Sequence, residues 1–292
     1  MISSPLRRLA VCCLIASASA ACLAQGCDDP SVLRFASIPK ADGAQQEQAL
    51  RPLMKELGRV LQKRVEVVRS NSYGAVVEGL HAATIDLAEL GPASYALLME
   101  RAPSVTAFAV LSEGLRADAA APGTYRAVLV VRADSGFKSL KDLQGKTLSL
   151  TDPVSTSGAL LPMQAVQKLT GQPVEKYFSR VTYAGSHLRA LEAVHKGLVN
   201  ATFVSSRRLE EYGQKKTASP RELAVLWQSP PIPTDPFVYR SSLCPPVVDK
   251  IRAVFLGDSP ALQPMFNELG GRRFVPASDA DYQSIRELVR PQ

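Results

Sequence analysis

The chain has 292 residues, 34 lysines and arginines against 27 acids, a formal net charge of +7 and five cysteines. That length builds one large or two medium cores, and its basic residues are scattered, which excludes a nucleic-acid arm and makes a small anion the better-matched partner. Beyond the N-terminal segment no stretch approaches the roughly 20 apolar residues of a membrane-spanning helix.

Arg7 and Arg8 precede an apolar run at 9–21 and small residues at 18–24, the layout of a secretory leader covering residues 1–24. Cleavage after Ala20 or Ala24 fits, and the mature protein is expected to be soluble and exported. The lipoprotein alternative would modify Cys22 or Cys27, but neither cysteine has the leucine three residues earlier that such signals favour. Loss of Arg7 and Arg8 lowers the charge from +7 by two, to +5. Once Cys12, Cys13 and Cys22 have left, Cys27 and Cys244 remain. In an oxidising compartment they are expected to pair, the alternative being two free thiols.

The apolar pattern predicts a strand at 32–38 and a helix at 45–61, whose buried face carries Leu50, Leu53, Met54, Leu57, Val60 and Leu61. A strand at 65–68, a helix at 73–82, a strand at 85–90 and a helix at 92–100, with Pro92 in its first turn, lead to a strand at 105–111. This alternation predicts parallel sheets with helices on both faces. Residues 116–123, rich in Ala, Asp, Pro and Gly, break the series. Strands at 125–131, 146–150, 180–183 and 199–204 follow, with helices at 158–169 and 187–196. After 222–228, Ser229-Pro230-Pro231-Ile232-Pro233-Thr234-Asp235-Pro236 reads as a proline-stiffened crossover. Helices at 246–255, near 260–269 and at 279–289 complete the tail. Crossings near 122–132 and 229–240 divide the mature chain into one lobe of residues 25–124 plus 236–292 and another of 125–235, with a cleft between them.

Asp152-Pro153-Val154-Ser155-Thr156-Ser157-Gly158 sets three hydroxyls and a glycine at the expected start of the 158–169 helix. Unpaired N–H groups and aligned peptide dipoles there can hold a tetrahedral anion without lysine or arginine. Gly158 would let the ligand approach the backbone; the alternative is an ordinary serine N-cap. The segment follows the 146–150 strand, where open α/β sheets bind ligands.

Other motifs fail on spacing. Gly145-Lys146-Thr147 echoes a phosphate-binding loop, but Leu140 stands where that motif needs glycine. His81, His187 and His195 lack metal-ligand spacing. The sequence has no Gly-x-Ser-x-Gly elbow and no Cys/His pair suited to nucleophilic catalysis. No cofactor, metal or catalytic residue is expected.

Ser72-Tyr73, Leu90-Gly91-Pro92-Ala93-Ser94-Tyr95, the 152–158 segment, Tyr183-Ala184-Gly185-Ser186-His187 and the 229–236 segment occur in a characteristic order. In that order the chain resembles the periplasmic phosphonate-, phosphite- and phosphate-binding proteins of ABC importers over nearly its whole mature length. The resemblance implies the two-lobed type 2 periplasmic-binding-protein fold. It also implies a monomeric, non-enzymatic protein that delivers a phosphorus oxyanion to a membrane permease. A sensor presenting occupancy to a membrane receptor or kinase is the alternative, and a phosphorus-ester enzyme the more distant one.

By position, the resemblance makes Ser155, Thr156 and Ser157 donors to the phosphoryl oxygens, with Tyr73, Tyr95 and His187 completing a shell of neutral donors. Asp235 beside an anion is repulsive unless a proton lies between them, which a P–OH supplies and sulfate does not; the alternative is a turn residue before Pro236. Members specialised for aminoalkyl phosphonates carry an acid in the segment matching 199–207, where this chain has Arg207. Arginine repels an ammonium and either favours a second anionic group or closes the pocket. Phosphate, phosphite, a small alkylphosphonate or a carboxylated phosphonate is therefore expected over an aminoalkyl one.

Overall fold

The structure, a computed structural model, describes residues 26–40, 43–101, 103–113, 123–214 and 222–290. The expected leader and all but the last residue of the break at 116–123 lie outside the described residues.

The first series comprises β1 (Val32–Ser37), α1 (Gly43–Leu61), β2 (Arg64–Val67), α2 (Tyr73–His81), β3 (Leu87–Glu89), α3 (Pro92–Arg101) and β4 (Val105–Glu113). The second begins with β5 (Thr124–Tyr125), β6 (Ala127–Arg132), β7 (Thr147–Leu150), α4 (Leu161–Thr170) and α5 (Val174–Tyr177). It continues through β8 (Arg180–Tyr183), α6 (His187–His195), β9 (Ala201–Ser205), α7 (Ser206–Gln214) and β10 (Leu223–Gln228). β11 (Ile232–Pro233) and β12 (Pro236–Arg240) lead back to α8 (Pro245–Leu256), α9 (Gln263–Leu269), β13 (Gly271–Pro276) and α10 (Gln283–Val289).

Two sheets result, each the centre of a lobe: β13-β4-β12-β3-β1-β2 and β10-β6-β9-β7-β8. The short antiparallel pair β5–β11 ties the crossing segments together. Strand alternation explains why both faces of each sheet are covered. In β1, Leu33 and Phe35 join the core beneath α1 and α8, while Ala36, with Ile38 just past the strand's end, joins the core with Tyr73 and Tyr95 on the other face. In β6, Leu129 and Val131 point one way, Val128 and Val130 the other.

The sheets are mixed, where the alternating pattern predicts parallel ones. β1 pairs in parallel with β2 and β3, and β7 with β8 and β9. β12, however, is antiparallel to both β3 and β4, and β6 to both β9 and β10. The reason is the connection. A strand that has just crossed between lobes enters its sheet from the cleft, the side on which the parallel strands end, so it must run the other way. β13, antiparallel to β4, occupies a stretch where the apolar pattern gives no strand. Cys27 and Cys244 form the expected disulfide.

Candidate functional site

Five helical starts converge on one point of the cleft. Tyr73 opens α2, Gly91 precedes α3, Ser155–Ser157 open a turn before α4, His187 opens α6, and Arg207 and Arg208 lie in the first turn of α7. All these residues line one cavity of about 20 Å³, room for little more than one or two waters. Three of the starts are fixed by serine caps: Ser72 accepts from Ala75 N–H, Ser155 from Gly158 N–H and Ser186 from Arg189 N–H. Each start contributes roughly half a positive elementary charge at its end.

The turn at 156–160 is wider than an α-helix, because Leu160 N–H donates to the Ser155 carbonyl five residues back at 3.0 Å. The α-helix proper starts only at Leu161. Gly158 is required here by packing rather than by access for a ligand. A Cβ on it would lie 2.2 Å from Thr151 Oγ1 and 2.4 Å from Thr151 Cβ. Thr151 cannot withdraw, since its N–H donates to the Gly158 carbonyl at 3.0 Å. Gly158→Ala is therefore expected to cost about 1–3 kcal/mol of stability, as overpacking does, measurable as a lowered urea midpoint.

Of the residues singled out in the sequence, Tyr73, Ser155, Thr156, Ser157, His187, Arg207 and Asp235 meet at the cavity. Tyr95 does not. Its hydroxyl donates to Asp279 Oδ1 at 2.7 Å and its ring packs edge-on against Tyr282. As the fourth residue of α3 it faces that helix's own core, while Gly91, at the helix start, faces the cavity. Thr156 also holds the lobes together: its Oγ1 accepts from Ala93 N–H at 2.8 Å. Nearby, Asp152 Oδ2 accepts from Tyr73 N–H at 3.1 Å, and Ser94 Oγ donates to the Val154 carbonyl at 3.2 Å. The lobes are thus closed on each other, and the Tyr125 hydroxyl donates to Asp235 Oδ1 at 3.4 Å.

A clamp of neutral donors alone is not what the lining holds. Lys40, Arg207 and Arg208 all reach the cavity. Lys40 Nζ sits 2.7 Å from Asp235 Oδ2 and 2.5 Å from Glu89 Oε1, with its side chain only 9% exposed. Burial alone would push the Asp235 carboxyl up, but Lys40 and then Arg207 and Arg208 outweigh it and hold the group below the ordinary carboxylate value. Asp235 is accordingly an ionised acceptor whose charge Lys40 balances before any ligand arrives. Burial, reinforced by Arg208, lowers Arg207 to about 10, which still leaves it charged at neutral pH.

His187 is a neutral donor. Ser205 N–H donates to its Nδ1 at 3.3 Å, so the imidazole proton resides on Nε2. Burial first, then Arg208, lowers its pKa from 6.5 to about 3. Burial likewise pushes the phenols of Tyr73 and Tyr125 up, so both keep their protons.

Sequence reading missed Lys40, Tyr125, Ser205 and Arg208. The signal for three of them was available: Ser205 ends β9, Arg208 follows it, and Lys40 lies three residues beyond β1, at carboxyl ends of strands where such sheets hold ligands. Tyr125 became legible only once β5 was known to be a crossing strand.

The model of the family described as "ABC transporter, phosphonate, periplasmic substrate-binding protein" matches residues 35–282. The chain belongs to this family. Among phosphonate-binding relatives, the Escherichia coli phosphonates-binding periplasmic protein is 31% identical over 247 residues, 82% of this chain and 70% of the relative. The phosphate-import protein PhnD of Mycolicibacterium smegmatis is 28% identical over 279 residues, covering 89% of this chain and 85% of its own. A crystal structure of a phosphonate ABC transporter binding protein from Pseudomonas aeruginosa superposes with a TM-score of 0.79 at 25% identity, covering 89% of this chain and 86% of that one. The two-lobed fold described above is that of the phosphonate-binding family, whose members are substrate-binding transport proteins.

Proposed function

We propose that the protein binds the tetrahedral head of a phosphorus oxyanion in the 20 Å³ cavity and presents it, chemically unchanged, to the membrane permease of an ABC importer. The reading is carried by the five helical starts that meet at that cavity, since dipoles and N–H groups aimed at one point favour an anion. Ser155, Thr156 and Ser157, Tyr73 and His187 Nε2 are the donors, joined by Tyr125. Asp235 accepts the hydroxyl of a protonated head group. The lobes, 25–124 plus 236–292 and 125–235, hinge about the β5–β11 pair. The family's description as periplasmic supports an exported chain beginning after residue 24.

Binding requires the cleft to open, so the Asp152–Tyr73, Thr156–Ala93 and Ser94–Val154 bonds break and re-form in each cycle. On closure the ligand's oxygens accept from the donor hydroxyls, and exclusion of water strengthens each new bond. Phosphate, phosphite and methylphosphonate are expected to bind in calorimetry with one site per chain. Sulfate should be at least about tenfold weaker, a difference of about 1.4 kcal/mol. Asp235→Ala should narrow that ratio by removing the acceptor that a P–OH can satisfy. The proposal falls if none of the three phosphorus anions binds.

A further inference from the structure

We propose that the neck joining the small cavity to the wider cleft is a second anion subsite, so that the preferred ligand is a phosphonate bearing a carboxylate one or two carbons from phosphorus. This rests on the phosphoryl reading above and names the substituent. A cavity of about 20 Å³ leaves no room for a substituent beside the head group, so any substituent must leave it. Two wider cavities flank the cleft. One, of about 380 Å³ and lined in part by Arg69 and Arg189, shares no lining residue with the small cavity. The other, of about 440 Å³, shares three: Lys40, Arg207 and Arg208. All three are cations, and a substituent taking this route passes between them.

The placement of the arginines runs against local helix chemistry. They sit in the first turn of α7, which contains no acid, although the positive end of a helix disfavours cations. Departures of this kind from local rules mark functional positions. Acids offset part of this charge, since Lys40 is paired with Asp235 and Glu89 and Arg208 with Glu211. Glu89 is held by Lys40 and Ser37, while Glu210 and Glu268 are exposed. Glu211 takes both of its bonds from Arg208 Nη1. Among the described residues no hydrogen bond is made by Nη2 or Nε of Arg208, the planar fork that pairs with a carboxylate. An ammonium entering the same neck would face the guanidinium of Arg208, a like charge.

Calorimetry on the mature protein with phosphonoacetate, 2-oxopropylphosphonate (its near-isostere with an uncharged ketone in place of the carboxylate), methylphosphonate and 2-aminoethylphosphonate tests this. Phosphonoacetate is expected to bind at least about tenfold tighter than the ketone, with 2-aminoethylphosphonate weakest. Arg207→Met and Arg208→Met should each bring the phosphonoacetate-to-ketone ratio toward one, whatever happens to overall affinity. If either variant misfolds by circular dichroism, the wild-type ratio decides. A ratio near one while methylphosphonate binds overturns the subsite and leaves the phosphoryl reading standing. No binding by any of the four overturns both.

Discussion

Reduction of the Cys27–Cys244 disulfide is expected to lower the unfolding free energy by about 3–5 kcal/mol, among the larger effects available to a single bond in this chain. The cysteines are 217 residues apart in sequence, so the closed loop contains the whole second lobe and the unfolded state loses much of its freedom. The bond also fastens a discontinuous lobe, whose sheet takes four strands before the crossing and two after it. Backbone bonds reinforce the join: Asp28 N–H donates to the Ser242 carbonyl at 2.7 Å and Cys244 N–H to the Asp28 carbonyl at 2.9 Å. These bonds form only in the folded protein, so they cannot restrict the unfolded chain as the covalent link does. Urea titrations with and without reductant, and of a Cys27→Ser/Cys244→Ser double variant, should agree. A shift under about 1 kcal/mol would contradict the loop-closure account.

The lobes were legible because hydrophobic periodicity is a local property. The 45–61 helix is observed as Gly43–Leu61, and its apolar stripe of Leu50, Leu53 and Leu57 is fully buried. The direction of β6 and β12 was not legible, since it depends on where the chain re-enters a sheet after crossing, which no local pattern encodes. The same division applies to the candidate site. Ser155, Thr156 and Ser157 announce themselves as hydroxyls at a helix start. Lys40 and Asp235 are 195 residues apart in sequence and meet only after both crossings are complete, at 2.7 Å. A carboxylate read alone calls for a ligand proton, whereas the folded chain also supplies a buried ammonium. Tyr95 shows the converse. Its neighbours in sequence point to the cleft, but helical rotation turns its ring toward Tyr282 instead.

Acid should destabilise the protein through His187, and the site chemistry fixes the direction. In the folded state the imidazole titrates near 3 rather than 6.5, because burial and the neighbouring Arg208 disfavour the cation. Above pH 6.5 the ring is neutral in both folded and unfolded chains, and it contributes no pH dependence. Between 6.5 and 3 the unfolded chain takes up a proton that the folded chain refuses, so stability falls by up to about 1.4 kcal/mol per pH unit. At pH 5 this amounts to about 2 kcal/mol relative to pH 7.5. His187→Gln removes the titrating ring, and its stability should drop less over the same interval by about that amount. His81 and His195 remain in both proteins and cancel in the comparison. Urea unfolding of the two proteins at pH 7.5 and 5.0 provides the measurement, and equal losses would show that the ring is not held neutral. The same neutrality bears on ligand capture. Nε2–H stays a donor without acquiring charge, so wild-type affinity for methylphosphonate should show no rise from imidazolium formation between pH 8 and 5. An anion site that relied on a protonated histidine would tighten over that range.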